Sequence, residues 1–170
     1  NVDGCEKNPE RAHKVNHDGV VNLCDGFDGH FIQISTDYVF NGKEGPYLED
    51  DPVDPISVYG KSKFAAEKYL MNSNISHTIV RANVLYSYSP ATKASFLKWV
   101  VESLKDSKTI KVVSDQWNNP TSTSSLSDFI SKIALSQTSG LYHYADRGLM
   151  SRFEFAKMIA GVFSLDSSLI

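Results

Sequence analysis

The sequence is short of several features that would assign it to a specialised class. Its only two cysteines, Cys5 and Cys24, fit neither a metal-binding nor a redox spacing, so both are expected to pack as small apolar groups in a reducing compartment. No apolar run approaches the length of a membrane span. The net charge of −3 argues against a nucleic-acid or membrane-surface partner. No signal-peptide pattern follows Asn1, and a cytoplasmic protein is therefore predicted.

A glycine-rich nucleotide loop is also missing. No Gly-x-Gly-x-x-Gly or Gly-x-x-Gly-x-x-Gly segment joins a strand to a helix, so the sequence offers no backbone cradle for a dinucleotide pyrophosphate. Two explanations stay open: the chain never bound a dinucleotide, or its N-terminal half has been removed. What is present is ordinary for a globular protein, with 170 residues, 41% hydrophobic and 22% charged. This length suffices for one core, and thus for one domain or a piece of one.

The apolar periodicity alternates between helix and strand along the chain. Helices are predicted at about 9–27, 57–72, 94–104, 126–135 and 151–163. Ser57 can cap the second of them, and Ser151 with Glu154 makes a capping box for the last. Strands are predicted at 31–35, 78–81, 110–113 and 141–144. Such alternation predicts an α/β fold with a parallel sheet and helices on both of its faces. The length of the polar loop before the second helix marks it as a binding or covering segment. Its acidic cluster, Glu49, Asp50 and Asp51, is expected to be solvated.

Tyr59 and Lys63 form the most informative constellation. Residues four apart share one face of a helix, so a phenol and an ammonium are expected side by side, downstream of the Thr36 hydroxyl at a strand end. This is a proton-donating arrangement for carbonyl chemistry. The 8 tyrosines and 13 lysines of the chain would give about 0.6 Tyr-x-x-x-Lys pairs by chance, so the surrounding residues must supply the specificity.

Two histidines raise the question of a metal site. His13 and His17 lie four residues apart on the first predicted helix, a spacing that can chelate a metal ion. No third histidine or carboxylate ligand is evident on that face. Two solvated histidines and no metal are therefore predicted.

Several segments, in order along the chain, resemble one branch of the extended short-chain dehydrogenases/reductases. The segments are Asn1-Val2-Asp3-Gly4-Cys5-Glu6, Ile34-Ser35-Thr36-Asp37-Tyr38-Val39-Phe40-Asn41-Gly42, Pro46-Tyr47 with Glu49, Pro55, Tyr59-Gly60-Lys61-Ser62-Lys63 with Glu67, Asp115-Gln116-Trp117-Asn118-Asn119-Pro120-Thr121 and Gly140-Leu141-Tyr142-His143. The branch is the dTDP-4-dehydrorhamnose reductase group, with the related regulatory β subunit of methionine adenosyltransferase.

The resemblance implies a Rossmann-like parallel sheet that is incomplete. The first βαβ units and the glycine loop would precede Asn1, and the C-terminal end would be cut short. The chain would then be a single partial domain over 1–170, holding the C-terminal part of the dinucleotide-binding fold. Parts of the substrate-binding region would lie at about 84–125 and 140–170. The cofactor would be NADP or NAD, and the residue that distinguishes them would lie outside the chain.

The resemblance also implies roles for individual residues. Tyr59 would protonate a keto oxygen, Lys63 would lower the pKa of Tyr59 and hold the nicotinamide ribose, and Thr36 would bind the substrate oxygen. Asn16 would support Lys63 through water, although it could equally be a surface polar residue. The remaining residues assigned to cofactor binding are Arg81, Asn83 and Val84. Those assigned to substrate binding are Asp37, Tyr38, Asn118, Pro120 and Thr121.

One departure from the reductases concerns the substrate. Where they typically carry a tryptophan that lines the sugar pocket, this chain has Val84. The first hypothesis is therefore an NAD(P)H-dependent reductase of a nucleotide-linked 4-keto-6-deoxysugar, whose homodimerisation is left open. The second is a non-catalytic regulatory subunit whose partner is a methionine adenosyltransferase. The third is an inactive truncated fragment.

Overall fold

The computed structural model of the chain describes residues 2–89 and 95–170. Its helices are α1 (Val2–Lys7), α2 (Pro9–His13), a π-helical turn (Lys14–Asp18), α3 (Gly19–Cys24), α4 (Val58–Met71), α5 (Phe96–Lys105), α6 (Thr123–Ser136) and α7 (Arg152–Val162), with 3₁₀ turns at Asp37–Val39 and Ser167–Leu169. Its strands are β1 (Phe31–Thr36), β2 (His77–Ala82), β3 (Leu85–Tyr86), β4 (Trp117–Asn118), β5 (Thr121–Ser122), β6 (Gly140–Tyr144) and β7 (Met150–Ser151).

The chain forms two compact units. The first comprises the chain up to Ala82 together with Phe129–Tyr144, and the second comprises Asn83–Asp128 and Ala145–Ile170. The second unit covers much of 84–125 and 140–170, but the assignment of those segments to substrate binding stays a prediction. Within the described residues, no helix combines the length and apolarity needed to cross a bilayer.

The first unit is built on a parallel sheet with the strand order β1-β2-β6. Ile34 pairs with Val80, and Val80 in turn pairs with Tyr142. The predicted strands at 31–35, 78–81 and 141–144 are confirmed, and so is the Rossmann-like class. The interior of β2 is fully buried, as expected for the central strand of a parallel sheet.

Helices cover both faces of this sheet. On one face, Ile79 and Leu141 join a cluster that contains Val20 of α3 and Leu70 of α4. Successive strand residues point to opposite faces. Accordingly, the ring of Tyr142 in β6 lies 6.3 Å from the ring of Phe129 in α6. The ring of Tyr144 stacks on Phe129 at 4.6 Å.

The N-terminal helical region is less regular than the sequence suggested. The predicted helix at 9–27 is divided into α2, the π turn and α3, and it ends at Cys24, before Gly26 in the left-handed region (φ 69). Helix α1 was not predicted, because it has only six residues and a break follows it. There Asn8 caps α2 by accepting a hydrogen bond from the Arg11 N–H at 3.0 Å, and Pro9 occupies the first helical position.

In the second unit α5 and α7 pack together around apolar residues that include Val100, Val101, Phe155 and Ile159. Helix α5 begins at Phe96, after the cap Ser95, and the predicted start at Ala94 lies outside the described residues. Short strands complete the unit, with β3 parallel to β5 and β4 antiparallel to β7.

The predicted strand at 110–113 is wrong. Ile110 is buried, and its N–H donates to the Leu169 carbonyl oxygen at 2.8 Å, while Lys111 and Val113 are exposed. The segment therefore contributes Ile110 and the half-buried Val112 to the α5–α7 core without pairing in any sheet of the described chain. Its β-branched composition reflects this anchoring, which single-sequence propensity does not distinguish from strand pairing.

Candidate active site

The first part of the site is the carboxyl end of β1, where the strand turns into the 3₁₀ turn Asp37–Val39. Thr36 is 5% exposed and caps this turn, because its Oγ1 accepts a hydrogen bond from the Tyr38 N–H at 3.2 Å. The same hydroxyl donates to Asp37 Oδ1 at 3.1 Å. In an open α/β sheet, ligands bind at the carboxyl ends of the strands. The Thr36 hydroxyl is therefore held at the edge where chemistry is expected.

Helix α4 approaches this edge very closely. Ser57 caps the helix by accepting a hydrogen bond from the Gly60 N–H at 3.0 Å, as predicted from the sequence. Gly60 lies directly against the Tyr38 carbonyl oxygen, and a Cβ atom built at Gly60 would overlap that oxygen. Glycine is thus the residue that permits this contact. As a result Tyr59 lies beside the strand end, and its ring meets the Tyr38 ring edge-to-face at 5.7 Å.

The phenol of Tyr59 keeps its proton at neutral pH. Burial raises its pKa, hydrogen bonding with the Thr36 side chain acts in the opposite direction, and the Asp37 carboxylate raises the pKa further. Desolvation of the phenolate is thus the dominant effect in the chain without cofactor. The lowering of this pKa by Lys63 in the presence of the cofactor stays a prediction. Thr36 and Tyr59 are nevertheless brought together, as the sequence analysis expected.

Lys63 also reaches β1. Its Nζ donates a hydrogen bond to the Ile34 carbonyl oxygen at 2.6 Å, two residues before Thr36. Burial lowers the pKa of this ammonium, and the nearby Glu67 carboxylate partly offsets that effect. An ammonium has three donors, so two N–H groups remain for other acceptors. Tyr59 and Lys63 therefore both extend from α4 to the carboxyl-terminal half of one strand.

Asn16 is connected to α4 by side-chain hydrogen bonds. It lies in the π turn, and its Nδ2 donates to Ser62 Oγ at 2.9 Å. Ser62 Oγ in turn donates to the Tyr59 carbonyl oxygen at 2.8 Å. The π turn thus braces the helix segment between the phenol and the ammonium. The predicted support of Lys63 through water stays a prediction.

A buried ion pair lies beside these residues and was not recognised from the sequence. Glu67 is fully buried, and its Oε2 accepts from Arg81 Nη2 at 2.8 Å. Arg81 Nε lies 3.2 Å from both Glu67 oxygens, and Ser35 Oγ donates to Oε1. The signals were an arginine inside an apolar strand and a glutamate four residues after Lys63. The Arg81 side chain is thus paired with Glu67, and its predicted cofactor role stays a prediction.

The acidic loop is anchored by one of its members. Glu49 is exposed, as expected, and its Oε1 also accepts the His143 N–H at 2.8 Å. The Glu49 carbonyl oxygen accepts from Arg81 Nη1 at 3.3 Å. The hydrogen bond from the His143 backbone lowers the pKa of Glu49. The Phe40 ring packs under Arg81 at 5.2 Å and stacks on Tyr47 at 4.3 Å. This part of the loop is therefore fixed to the sheet.

The other predicted site residues belong to the second unit. The Thr121 N–H donates to the Val84 carbonyl oxygen at 3.0 Å, beside the β3–β5 pairing. Val84 has a positive φ of 30, which is unusual for a β-branched residue and typical of strained functional positions. Pro120 precedes Thr121 and is buried.

Two side-chain oxygens in this unit lack partners. Asn83 Oδ1 and Asn118 Oδ1 are buried and accept no hydrogen bond from any residue that the structure describes. A buried acceptor without a donor is costly, and it calls for an explanation such as an absent ligand. The binding roles of Asn83, Val84, Asn118, Pro120 and Thr121 stay predictions.

The donors at the end of β1 fit one end of a nicotinamide cofactor. The Tyr59 hydroxyl and the free N–H groups of Lys63 are suitable for ribose hydroxyls, and both side chains are only partly buried. A backbone cradle for the pyrophosphate is not found between a strand and a helix of the described chain. The residues present therefore match the nicotinamide-ribose portion alone.

Comparison with known proteins gives a consistent result. The family described as RmlD substrate binding domain matches residues 1–170. The dTDP-4-dehydrorhamnose reductase of Sinorhizobium fredii is 37% identical, with 95% of this chain and 57% of the relative covered. Methionine adenosyltransferase 2 subunit beta of Bos taurus is 28% identical, with 98% of this chain and 52% of the relative covered.

A solved structure agrees with these relatives. The dTDP-4-dehydrorhamnose reductase of Bacillus anthracis in complex with NADP superimposes with a TM-score of 0.87 and 33% identity. The match covers 98% of this chain and 60% of that one. The chain thus spans a little over half the length of the proteins it resembles.

Proposed function

The chain belongs to the RmlD substrate binding domain family, and from this membership and the geometry around Tyr59 we propose that it carries the proton-donating part of a reductase. The reaction is the NAD(P)H-dependent reduction of a nucleotide-linked 4-keto-6-deoxysugar, with dTDP-4-dehydrorhamnose as the first substrate to test. The observation that carries the proposal is the meeting of Thr36, Tyr59 and Lys63 at the carboxyl end of β1.

The protonation state of Tyr59 suits an acid in the direction of reduction. A proton donor must hold its proton before the reaction, and the raised pKa of Tyr59 keeps the phenol neutral at physiological pH. The nicotinamide, when bound, supplies the hydride to the carbonyl carbon. Tyr59 transfers its proton to the carbonyl oxygen, and the product is a secondary alcohol. The Thr36 hydroxyl orients that oxygen.

Lys63 then has to stabilise the phenolate that Tyr59 leaves behind. Lowering a phenol pKa by about 3 units requires roughly 4 kcal/mol of preferential stabilisation of the anion. The Lys63 ammonium is anchored on the Ile34 carbonyl one helical turn from Tyr59, so this stabilisation needs little reorganisation. Asn16 and Ser62 hold the intervening backbone of α4.

The remaining substrate-binding assignments are proposed separately for each unit. In the first unit these are Asp37, which is bound to Thr36, and Tyr38, which packs on Tyr59. In the second unit the buried Oδ1 of Asn118 supports a role as acceptor for a sugar or base donor. Pro120 and Thr121 lie on the same segment and are also proposed to contact the substrate. NADP and NAD are both kept as cofactors, because no described residue distinguishes them.

The test is a turnover assay on the protein expressed as its gene encodes it. NADPH or NADH oxidation is measured with dTDP-4-dehydrorhamnose. Tyr59→Phe should lower kcat by about 10²–10⁴-fold, the usual contribution of a general acid. Tyr69→Phe, on the same helix but packed against His17, is the matched control and should stay within about twofold. Equal activity of the two variants would contradict the proposal.

A second candidate function is a regulatory subunit that binds a methionine adenosyltransferase. It is favoured by the 28% identity to methionine adenosyltransferase 2 subunit beta over 98% of this chain, and by Val84 where the reductases typically carry a tryptophan. Absence of turnover together with tight binding to a methionine adenosyltransferase, measured by calorimetry, would favour this candidate. Binding that Tyr59→Phe leaves unchanged would add further support.

A further inference from the structure

Three potential metal ligands converge in the first unit, at the π turn that also carries Asn16. His17 Nδ1 lies 2.8 Å from Asp18 Oδ1, and His13 Nε2 lies 3.6 Å from the same oxygen. One ligand atom from each residue lies within 4.8 Å of the other two. The two imidazole rings stack with their centroids 4.5 Å apart. Two nitrogens therefore point to one carboxylate oxygen.

The π turn explains why the sequence did not reveal the third ligand. In an α-helix a residue five positions on lies about 140° around the axis, so Asp18 would be well away from the face of His13. In a π turn the bonding runs from residue i to i+5, and the Gly19 N–H does bond to the Lys14 carbonyl oxygen. This wider turn brings Asp18 next to His13 and His17.

We propose that His13, His17 and Asp18 form a binding site for a divalent transition-metal ion of the zinc type. Imidazole nitrogen and carboxylate oxygen are ordinary Zn²⁺ ligands, and three protein ligands leave the fourth position to water. With bonds of about 2.0–2.2 Å, a tetrahedral ion places its ligand atoms roughly 3.4 Å apart. The two separations from Asp18 Oδ1, 2.8 and 3.6 Å, lie on either side of that value. Small side-chain rotations therefore complete the site.

The surroundings of the three residues suit an ion that enters from solvent. The side chains of His13, His17 and Asp18 are 52%, 24% and 48% exposed, so both the ion and a water ligand have access. The Tyr69 ring lies edge-on to His17 at 6.3 Å and limits the orientation of that imidazole. The carboxylate supplies a negative charge in the position that the two nitrogens share.

The bound ion would hold the π turn in place. His17 and Asp18 belong to the same turn as Asn16, whose side chain binds Ser62 of α4. A metal that links α2 to this turn would restrict the alternative of a regular α-helix, in which Asn16 would face a different direction. The ion thus has a structural role beside α4, and it takes no part in the proposed proton transfer.

The experiment measures Zn²⁺ binding to the 170-residue chain by competition with a chromophoric chelator. One Zn²⁺ per chain is expected, with a rise in Tm when the ion is present. His17→Ala and Asp18→Asn should each weaken binding by about tenfold or more. His77→Asn is the matched control, because His77 lies outside the cluster and bonds to the Ile75 carbonyl oxygen. It should leave the affinity unchanged.

Substitution of Co²⁺ for Zn²⁺ identifies the ligands. A d–d spectrum without a thiolate-to-cobalt charge-transfer band is expected, because neither cysteine belongs to the cluster. A thiolate band would overturn the proposal, and so would equal affinities of His17→Ala, Asp18→Asn and the wild type. Absence of Zn²⁺ binding would also overturn it, and would leave a hydrogen bond between His17 and Asp18 as the only role of the cluster. The variants' Tm without metal checks that each of them is folded.

Discussion

The first unit buries charge and hydroxyl groups beside its candidate catalytic residues, whereas the core of the second unit is apolar. Buried polar residues of the first unit are Gln33, Ser35, Thr36, Ser62, Glu67, Thr78 and Arg81. The α5–α7 core of the second unit consists of leucine, isoleucine, valine, alanine and phenylalanine. Its buried polar residues, Asn118, Thr121 and Ser151, lie in the short strands, and Ser151 also caps α7.

The difference indicates that the buried polar groups of the first unit position its candidate catalytic residues, whereas the apolar core of the second unit stabilises the fold. Burying a polar group costs free energy unless hydrogen bonds compensate. A polar interior is therefore expected where its hydrogen bonds position functional side chains. In the first unit Glu67 lies four residues from Lys63 and is linked to Ser35, the neighbour of Thr36. In the second unit burial of apolar helix faces is sufficient to explain the packing. Substitutions in matched pairs can test this division.

The largest effect is expected for Glu67→Gln. This change leaves the Arg81 guanidinium buried without a counter-charge, which typically costs about 3–5 kcal/mol of unfolding free energy. The matched control is Glu102→Gln in the second unit. Glu102 pairs with Lys98 and is 63% exposed, so its replacement should cost less than about 0.5 kcal/mol of unfolding free energy. Urea denaturation of both variants measures the difference. Similar losses would mean that the buried pair is not the distinguishing feature of the first unit.

A smaller effect is expected for Gly60→Ala. The added methyl group meets the Tyr38 carbonyl oxygen, so α4 must shift away from β1, at a cost of about 1–3 kcal/mol. Gly161 in α7 has open space around its Cβ position, and Gly161→Ala should be neutral or stabilise by up to about 1 kcal/mol. Tm measurements should therefore move in opposite directions. A neutral Gly60→Ala would show that the close approach of α4 is dispensable.

The helix caps provide a third pair. Ser57→Ala removes the cap of α4 and Ser151→Ala removes the capping box of α7, so each should cost about 1 kcal/mol. Only Ser57→Ala alters the helix start next to Tyr59, so only this variant should also lower turnover in the reductase assay. Ser151→Ala should leave turnover within about twofold. Parallel loss of activity in both variants would indicate that activity simply follows stability.

Much of this arrangement could be predicted from the sequence where local rules decide the structure. The strands of the parallel sheet, the Ser57 and Ser151 caps and the placement of Tyr59 and Lys63 on one helix depend on residues close together in the chain. Family resemblance added Asn16. The two-residue strands and the wrongly predicted strand at 110–113 show the limit, since pairing depends on partners distant in sequence.

The polar network and the histidine cluster were missed for two different physical reasons. Glu67 and Arg81 are distant in sequence, and only the parallel pairing of β1 with β2 beside α4 brings them to Ser35. Asp18 is close to His13 in sequence, but a regular helix would separate them around the axis. A π turn has no recognisable signature in this sequence. Long-range contacts and departures from regular geometry thus account for the residues that sequence reasoning left out.

The smallest effect concerns the pH dependence of stability, and it arises from two groups of the first unit. Burial lowers the pKa of Lys63, so the unfolded chain binds more protons than the folded one between that lowered pKa and about 10.4, and stability should rise with pH across this window. Burial raises the pKa of Tyr59, so above about pH 10 the unfolded phenol ionises first and stability should fall. The free energy of unfolding in urea, measured at intervals from about pH 8 to 11, separates the two slopes. Lys63→Met should remove the rise and Tyr59→Phe the fall. A rise that persists in Lys63→Met would place its source elsewhere and weaken the view that the first unit alone stores electrostatic cost beside its functional residues.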